Sequence, residues 1–96
     1  MSEETQKSAV HIVVYGYVQG VGFRYFVQAN AQRLDIVGWV RNRPDGTVEI
    51  WAEGPRESLE SLIQLVHRGP RQGLVRRLET NWYSPKGEYH GFNIRW

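Results

Sequence analysis

Arg24 and Asn42 are the residues of this chain best placed to do chemistry, and each ends a patterned segment. Arg24 closes the run Gly16-Tyr17-Val18-Gln19-Gly20-Val21-Gly22-Phe23-Arg24, which lies between an apolar stretch, Val10 to Tyr15, and a helical pattern. Three glycines let the backbone curl so that successive N–H groups converge on one point, a nest for an anion. The N-terminal dipole of the following helix aims at the same point. Arg24 adds a planar fork of donors suited to two phosphate oxygens. Glycines also serve plain tight turns, with the arginine solvated. A cation in the first helical turn, however, opposes the dipole unless an anion joins it.

Asn42 stands in the second segment, Gly38-Trp39-Val40-Arg41-Asn42-Arg43-Pro44-Asp45-Gly46-Thr47-Val48, which is followed by Gly54. Two uses are open to it. An asparagine before a turn most often shapes that turn through an Asx-type hydrogen bond. Its amide also both accepts and donates, which suits it to hold a water. Arg41 and Arg43 flank it and are expected on the opposite face as solvated charges.

The elements that position these residues follow from periodicity. Val10, Ile12 and Val14 alternate with His11, Val13 and Tyr15, a strand period. Phe23, Phe26, Val27, Asn30, Ala31 and Leu34 recur at three- and four-residue intervals and predict an amphipathic helix. Ile36 to Arg43 and Thr47 to Glu53 read as two strands of a hairpin around Pro44-Asp45-Gly46. Gly54-Pro55 begins a second helix, with proline at the first helical position. Leu59, Leu62, Ile63 and Val66 form its buried stripe, and Gly69-Pro70 stops it. Leu74 to Tyr83 reads as a charged edge strand, and Phe92, Ile94 and Trp96 alternate in a short final strand. The order β-α-β-β-α-β plus a terminal strand predicts an α+β, ferredoxin-like split βαβ sandwich: an antiparallel sheet with both helices on one face.

Composition sets the surroundings. At 96 residues and 41% hydrophobic content the chain suits one domain that buries roughly two-thirds of its unfolded surface. Residues 1–8 are expected to form a flexible tail, and residues 9–96 the domain. The net charge of +2 fits a local anion site better than a nucleic-acid surface. With no cysteine, disulfides and thiol nucleophiles are excluded. No run approaches the roughly 20 apolar residues of a membrane span, and the polar N-terminus lacks a signal-peptide core. A cytoplasmic monomer is expected, with no membrane or nucleic-acid partner.

The two segments together resemble the acylphosphatase family. Gly16 to Arg24 matches the pattern G-x-V-Q-G-V-x-F-R, and Gly38 to Gly54 matches G-W-V-x-N-x-x-x-G-x-V-x-x-x-x-x-G. The likeness continues in Gly69-Pro70, Val75 and Phe92-x-Ile94-Arg95, and covers the chain from about Val10 to Trp96. It implies hydrolysis of an acyl phosphate, a small molecule, to a carboxylate and inorganic phosphate, the latter a product and inhibitor. It also implies that Arg24 binds the phosphate and Asn42 orients the attacking water. The backbone amides of Gln19, Gly20, Val21, Gly22, Phe23 and Arg24 become the phosphate cradle. No cofactor and no metal are implied.

The residues agree with that chemistry. Val18 to Arg24 has the spacing of the C-x5-R loop of cysteine phosphatases, with valine in the nucleophile's place. Water must then attack phosphorus directly. His11, His67 and His90 are scattered without metal-ligand spacing. A strong base is dispensable, because a loose phosphoryl-transfer transition state asks mainly for positioning and charge stabilisation. The substrate phosphate itself accepts the water's proton.

Three rivals carry weaker signals. One is a non-catalytic or regulatory module: domains resembling acylphosphatases also occur at the front of larger hydrogenase-maturation proteins, often with proline after the loop arginine, where this chain has Tyr25. Gly20 to Phe26 is faintly similar to the aromatic RNA-binding stretch of an RRM, but Phe23 and Phe26 fit a buried helical stripe. Trp39, Trp51, Trp82 and Trp96 are candidates for a partner surface, although tryptophan in a small β-rich domain more often packs.

Overall fold

A computed structural model describes residues 6–96. Strand β1 (Lys7–Tyr17) leads through the glycine loop into helix α1 (Phe23–Arg33). Strands β2 (Val37–Asn42) and β3 (Val48–Pro55) form the expected hairpin, paired from Val37↔Glu53 to Asn42↔Val48. Helix α2 (Arg56–Arg68), strand β4 (Leu74–Tyr83) and strand β5 (Phe92–Arg95) complete the chain. The sheet order is β4-β1-β3-β2-β5, so β4 is an edge strand, as its charges predict.

The alternation read from the sequence decides the layers. Val10, Ile12, Val14, Val40, Val48, Ile50 and Ala52 face one way. There they meet Phe23, Val27 and Ala31 from α1 and Leu59, Leu62 and Val66 from α2. Truncating one of these buried leucines to alanine costs about 2–5 kcal/mol. The other sheet face carries His11, Arg41, Glu49 and Trp51, and among the described residues no helix lies over it.

Three expectations need correction. The sheet is mixed: β5 pairs with β2 in parallel, Gly38↔Phe92 to Arg41↔Arg95. The 84–91 segment starts at edge strand β4 and ends at β5 on the far edge, and its route fixes the direction in which β5 enters. Next, Lys7 and Ser8 belong to β1 rather than a tail, because they pair with Pro55 and Gly54. The remainder of the expected tail, residues 1–5, lies outside the described residues. Finally, Pro55 ends β3 and occupies the N-cap of α2 with extended ψ, so Arg56 is the first helical residue. Its fixed φ of −60° suits both positions.

Candidate active site

The loop after β1 is built to leave the sheet abruptly. The β1–β4 register shifts between Tyr15 and Gly16, pairing ends at Tyr17↔Leu74, and the chain then leads into α1. Val18 drops into the core, 1% exposed, and anchors the loop from below. Gly20 and Gly22 both take φ of 76°, a left-handed conformation that other residues adopt only at a cost. A Cβ on either would meet nothing within 4 Å, so the backbone angle, not crowding, asks for glycine.

Gly22 is the N-cap of α1 and supplies no side-chain cap, and no acidic residue lies in the first turn. The first N–H groups of α1 therefore lack both a side-chain capping oxygen and a carboxylate from their own turn. Arg24, the second helical residue, is the charged group there. Among the described residues no carboxylate stands within ion-pair distance of it. Instead its guanidinium carbon lies 4.1 Å from the ring centroid of Trp96. An indole on the flat face leaves the in-plane N–H donors free.

Asn42 is the last residue of β2, and strand alternation turns it to the side of Val40, under the helices. Arg41 turns the other way, and its Nε donates to Glu49 at 2.7 Å. The carbonyl oxygen of the Asn42 side chain, Oδ1, is buried with no hydrogen-bond partner among the described residues. The Asx role does not fall to Asn42. Asp45 shapes the turn instead, accepting from the Thr47 N–H at 3.0 Å and the Thr47 hydroxyl at 2.6 Å. Those bonds, the hydroxyl first, hold the Asp45 carboxyl below its usual range.

The loop and the hairpin are joined by Gln19. Its Nε2 donates to the backbone carbonyls of Arg43, 2.8 Å, and Thr47, 2.9 Å, on either side of the turn. The glycine loop is thus tied to the residue next to Asn42. Sequence reasoning assigned Gln19 only a backbone amide. The signal for its side chain was a lone amide in a loop otherwise of glycine and apolar residues. The sequence placed Trp96 in a strand pattern and among four candidate partner-surface tryptophans, and no local pattern links it to Arg24.

Other candidates are dispersed. His11 meets Glu49 on the open sheet face, His67 lies in the last turn of α2, and His90 lies in the 84–91 segment. The four tryptophans do not share one face: Trp39 and Trp51 lie opposite each other in the β2–β3 pairing, while Trp82 and Trp96 lie elsewhere. Trp51 stacks on Tyr83, Trp39 donates to the Tyr89 hydroxyl, Trp82 packs against the core and Trp96 covers Arg24. Phe23 is 2% exposed within α1, so the RRM-like stretch offers no strand platform for bases. A cavity of about 300 Å³ sits at the opposite end of the sheet, lined by Lys7, Val37, Glu53, Pro55, Pro85 and Tyr89 among others. It contains no residue of the glycine loop. No helix among the described residues is long and apolar enough to cross a membrane.

Fold and loop together define a ferredoxin-like α+β sandwich with an uncapped, glycine-led helix start beside an arginine. A family model described as Acylphosphatase matches residues 10–94. The chain is 49% identical over 82 residues to an acylphosphatase of Salinibacter ruber, covering 85% of this chain and 86% of the relative. It is 48% identical over 84 residues to one of Thermococcus kodakarensis, covering 88% and 91%. The crystal structure of acylphosphatase from Bacillus subtilis superposes with a TM-score of 0.90 at 42% identity, over 93% of this chain and 99% of that one. The chain belongs to the acylphosphatase family, and it is a hydrolase.

Proposed function

We propose that this chain hydrolyses the carboxyl–phosphate bond of small acyl phosphates, with Arg24 and the backbone amides of residues 19–24 holding the phosphoryl group. The Asn42 side chain orients a water in line with the leaving carboxylate. The water oxygen bonds to phosphorus as the phosphorus–carboxylate bond breaks, and a phosphate oxygen takes the water's proton. A carboxylate and inorganic phosphate leave. The carboxylate is a good leaving group, so the protein mainly positions the partners and offsets charge.

The observation that carries this reading is the buried, unpartnered Oδ1 of Asn42, one residue from the carbonyl that tethers the glycine loop. A buried acceptor without a partner costs about 1–3 kcal/mol, a cost that a water donating to it removes. The Nδ2 group of the same amide can then meet a second partner.

The test is an assay in chelator with benzoyl phosphate and, in parallel, a phosphate monoester. Selective cleavage of the anhydride, inhibited competitively by inorganic phosphate, is expected. Equal cleavage of both substrates, or dependence on an added divalent cation, contradicts the reading.

A further inference from the structure

We propose that the side chain of Gln19 is a positioning residue that sets the register between the phosphate cradle and the water held by Asn42. This rests on the roles given above to Arg24 and Asn42. Both hydrogens of the Gln19 amide are committed, one to the Arg43 carbonyl and one to that of Thr47. Each carbonyl already accepts one backbone bond within the turn. Gly46 N–H donates to Arg43 at 3.1 Å and Arg43 N–H to Thr47 at 2.9 Å. Asp45 braces the same turn through Thr47, which is 5% exposed. The turn is therefore closed by its own bonds, and Gln19 occupies the second lone pair of each carbonyl. What its bonds add is a tie between two separate parts of the site.

That tie matters because of what lies on either side. Gly20 and Gly22 follow Gln19 in a loop of high backbone freedom. Arg43 follows Asn42 directly. A shift of the loop against the turn leaves the nest intact but changes the distance from the bound phosphorus to the water. Misplacement of about 1 Å can cost about a hundredfold in rate. Two donors on one planar amide fix both direction and distance, which a single bond does not.

The test uses Gln19→Met, which keeps length and removes both donors, with benzoyl phosphate as substrate and inorganic phosphate as inhibitor. Gln19→Met is expected to lower kcat between about tenfold and a hundredfold. Its inhibition constant for phosphate is expected to stay within about threefold of wild type, because the nest amides remain. In an Asn42→Ala background the same substitution is expected to cost no more than about twofold, since the group it positions is gone. Gln19→Glu provides an independent signature. Its carboxylate repels both carbonyls at neutral pH, and on protonation it regains one donor. Its kcat relative to wild type is therefore expected to rise as pH falls through the carboxyl range, a rise absent from Gln19→Met.

Unchanged kcat in folded Gln19→Met overturns the proposal. So do equal losses of kcat and phosphate affinity, which mark a merely structural residue. If Asn42→Ala is harmful but Gln19→Met costs the same in both backgrounds, the Gln19 proposal fails while the roles of Arg24 and Asn42 stand. If Asn42→Ala turns over like wild type, the water-holding reading fails first and this proposal falls with it. Should Gln19→Met not fold, the acid rise of Gln19→Glu decides, and its absence counts against the proposal.

Discussion

Helix α2 begins with Glu57 in its first turn, whereas α1 begins with no acidic residue and carries Arg24 there. Neither start has a side-chain cap. Both helices end on bases, Arg33 in α1 and His67 with Arg68 in α2. Three of the four ends therefore hold the sign of charge that the dipole favours. Helix α2 also has a cation early, Arg56, but it pairs with Glu60 at 3.3 Å and lies 3.7 Å over the Trp82 ring. Its charges are balanced within the chain. At α1 no such partner stands beside Arg24 among the described residues, and two glycines in the left-handed conformation, Gly20 and Gly22, precede the helix. One helix start is finished by the protein. The other leaves its first-turn cation without an ion-pair partner among the described residues.

The largest expected effect breaks that contrast outright. Arg24→Ala should lower kcat/KM with benzoyl phosphate at least about a hundredfold, by analogy with loss of one oxyanion donor. Arg56→Ala, the matching change in α2, should leave turnover unchanged. Equal losses in the two variants would erase the distinction. Asn42→Ala comes next, and should reduce kcat more than it weakens inhibition by inorganic phosphate. Parallel losses would instead place Asn42 against the phosphate.

A smaller effect sharpens the contrast by making α1 resemble α2. Tyr25 is 59% exposed in the first turn of α1. Tyr25→Glu should stabilise the free protein by about 0.3–1 kcal/mol through the dipole. The same carboxylate should weaken phosphate inhibition about fivefold by repulsion across a few ångström of solvent. A melting curve and an inhibition series measure the two opposed shifts.

The smallest effect on the site is that of acid, which acts mainly on β3. Burial is the strongest influence on Glu53 and pushes its carboxyl up. The N–H groups of Lys86, Trp51 and Gly87 together outweigh it and hold the carboxyl below 4.5. At Glu49 burial is likewise opposed, and outweighed, by His11 at 2.6 Å and Arg41 at 2.7 Å. A carboxyl lowered on folding stabilises fully above its unfolded value and loses that contribution as pH falls through the folded one. Melting temperature should therefore hold steady toward pH 4.5 and drop below it, and Glu53→Gln should shrink the drop.

Much of this was legible in the chain because the signals are local. Gly22-Phe23 and the spacing of Phe23, Val27 and Ala31 place the start and buried face of α1. Alternation through Val48, Ile50 and Ala52 places the face of β3. The misplacements are of another kind. Direction in β5 depends on the path of the 84–91 segment, held where Lys86 and Gly87 N–H groups meet Glu53, 33 and 34 residues away in sequence. Pro55 suits an N-cap as well as a first turn, and only pairing with Lys7 keeps it in the strand. In the candidate site, the glycine spacing located the left-handed loop before α1, and the residue types singled out Arg24 and Asn42. The Gln19 tether spans 24 and 28 residues in sequence, and the indole of Trp96 reaches Arg24 only in the folded chain.

The direct test of the unfinished helix start is a titration of the ¹⁵N-labelled protein with inorganic phosphate, followed amide by amide. Saturable shifts should concentrate at residues 19–24, with residues 56–58 unmoved, and Arg24→Ala should abolish them. Phosphate that leaves the 19–24 amides in place, or moves the start of α2 as much, would contradict the assignment of the glycine loop as the anion site.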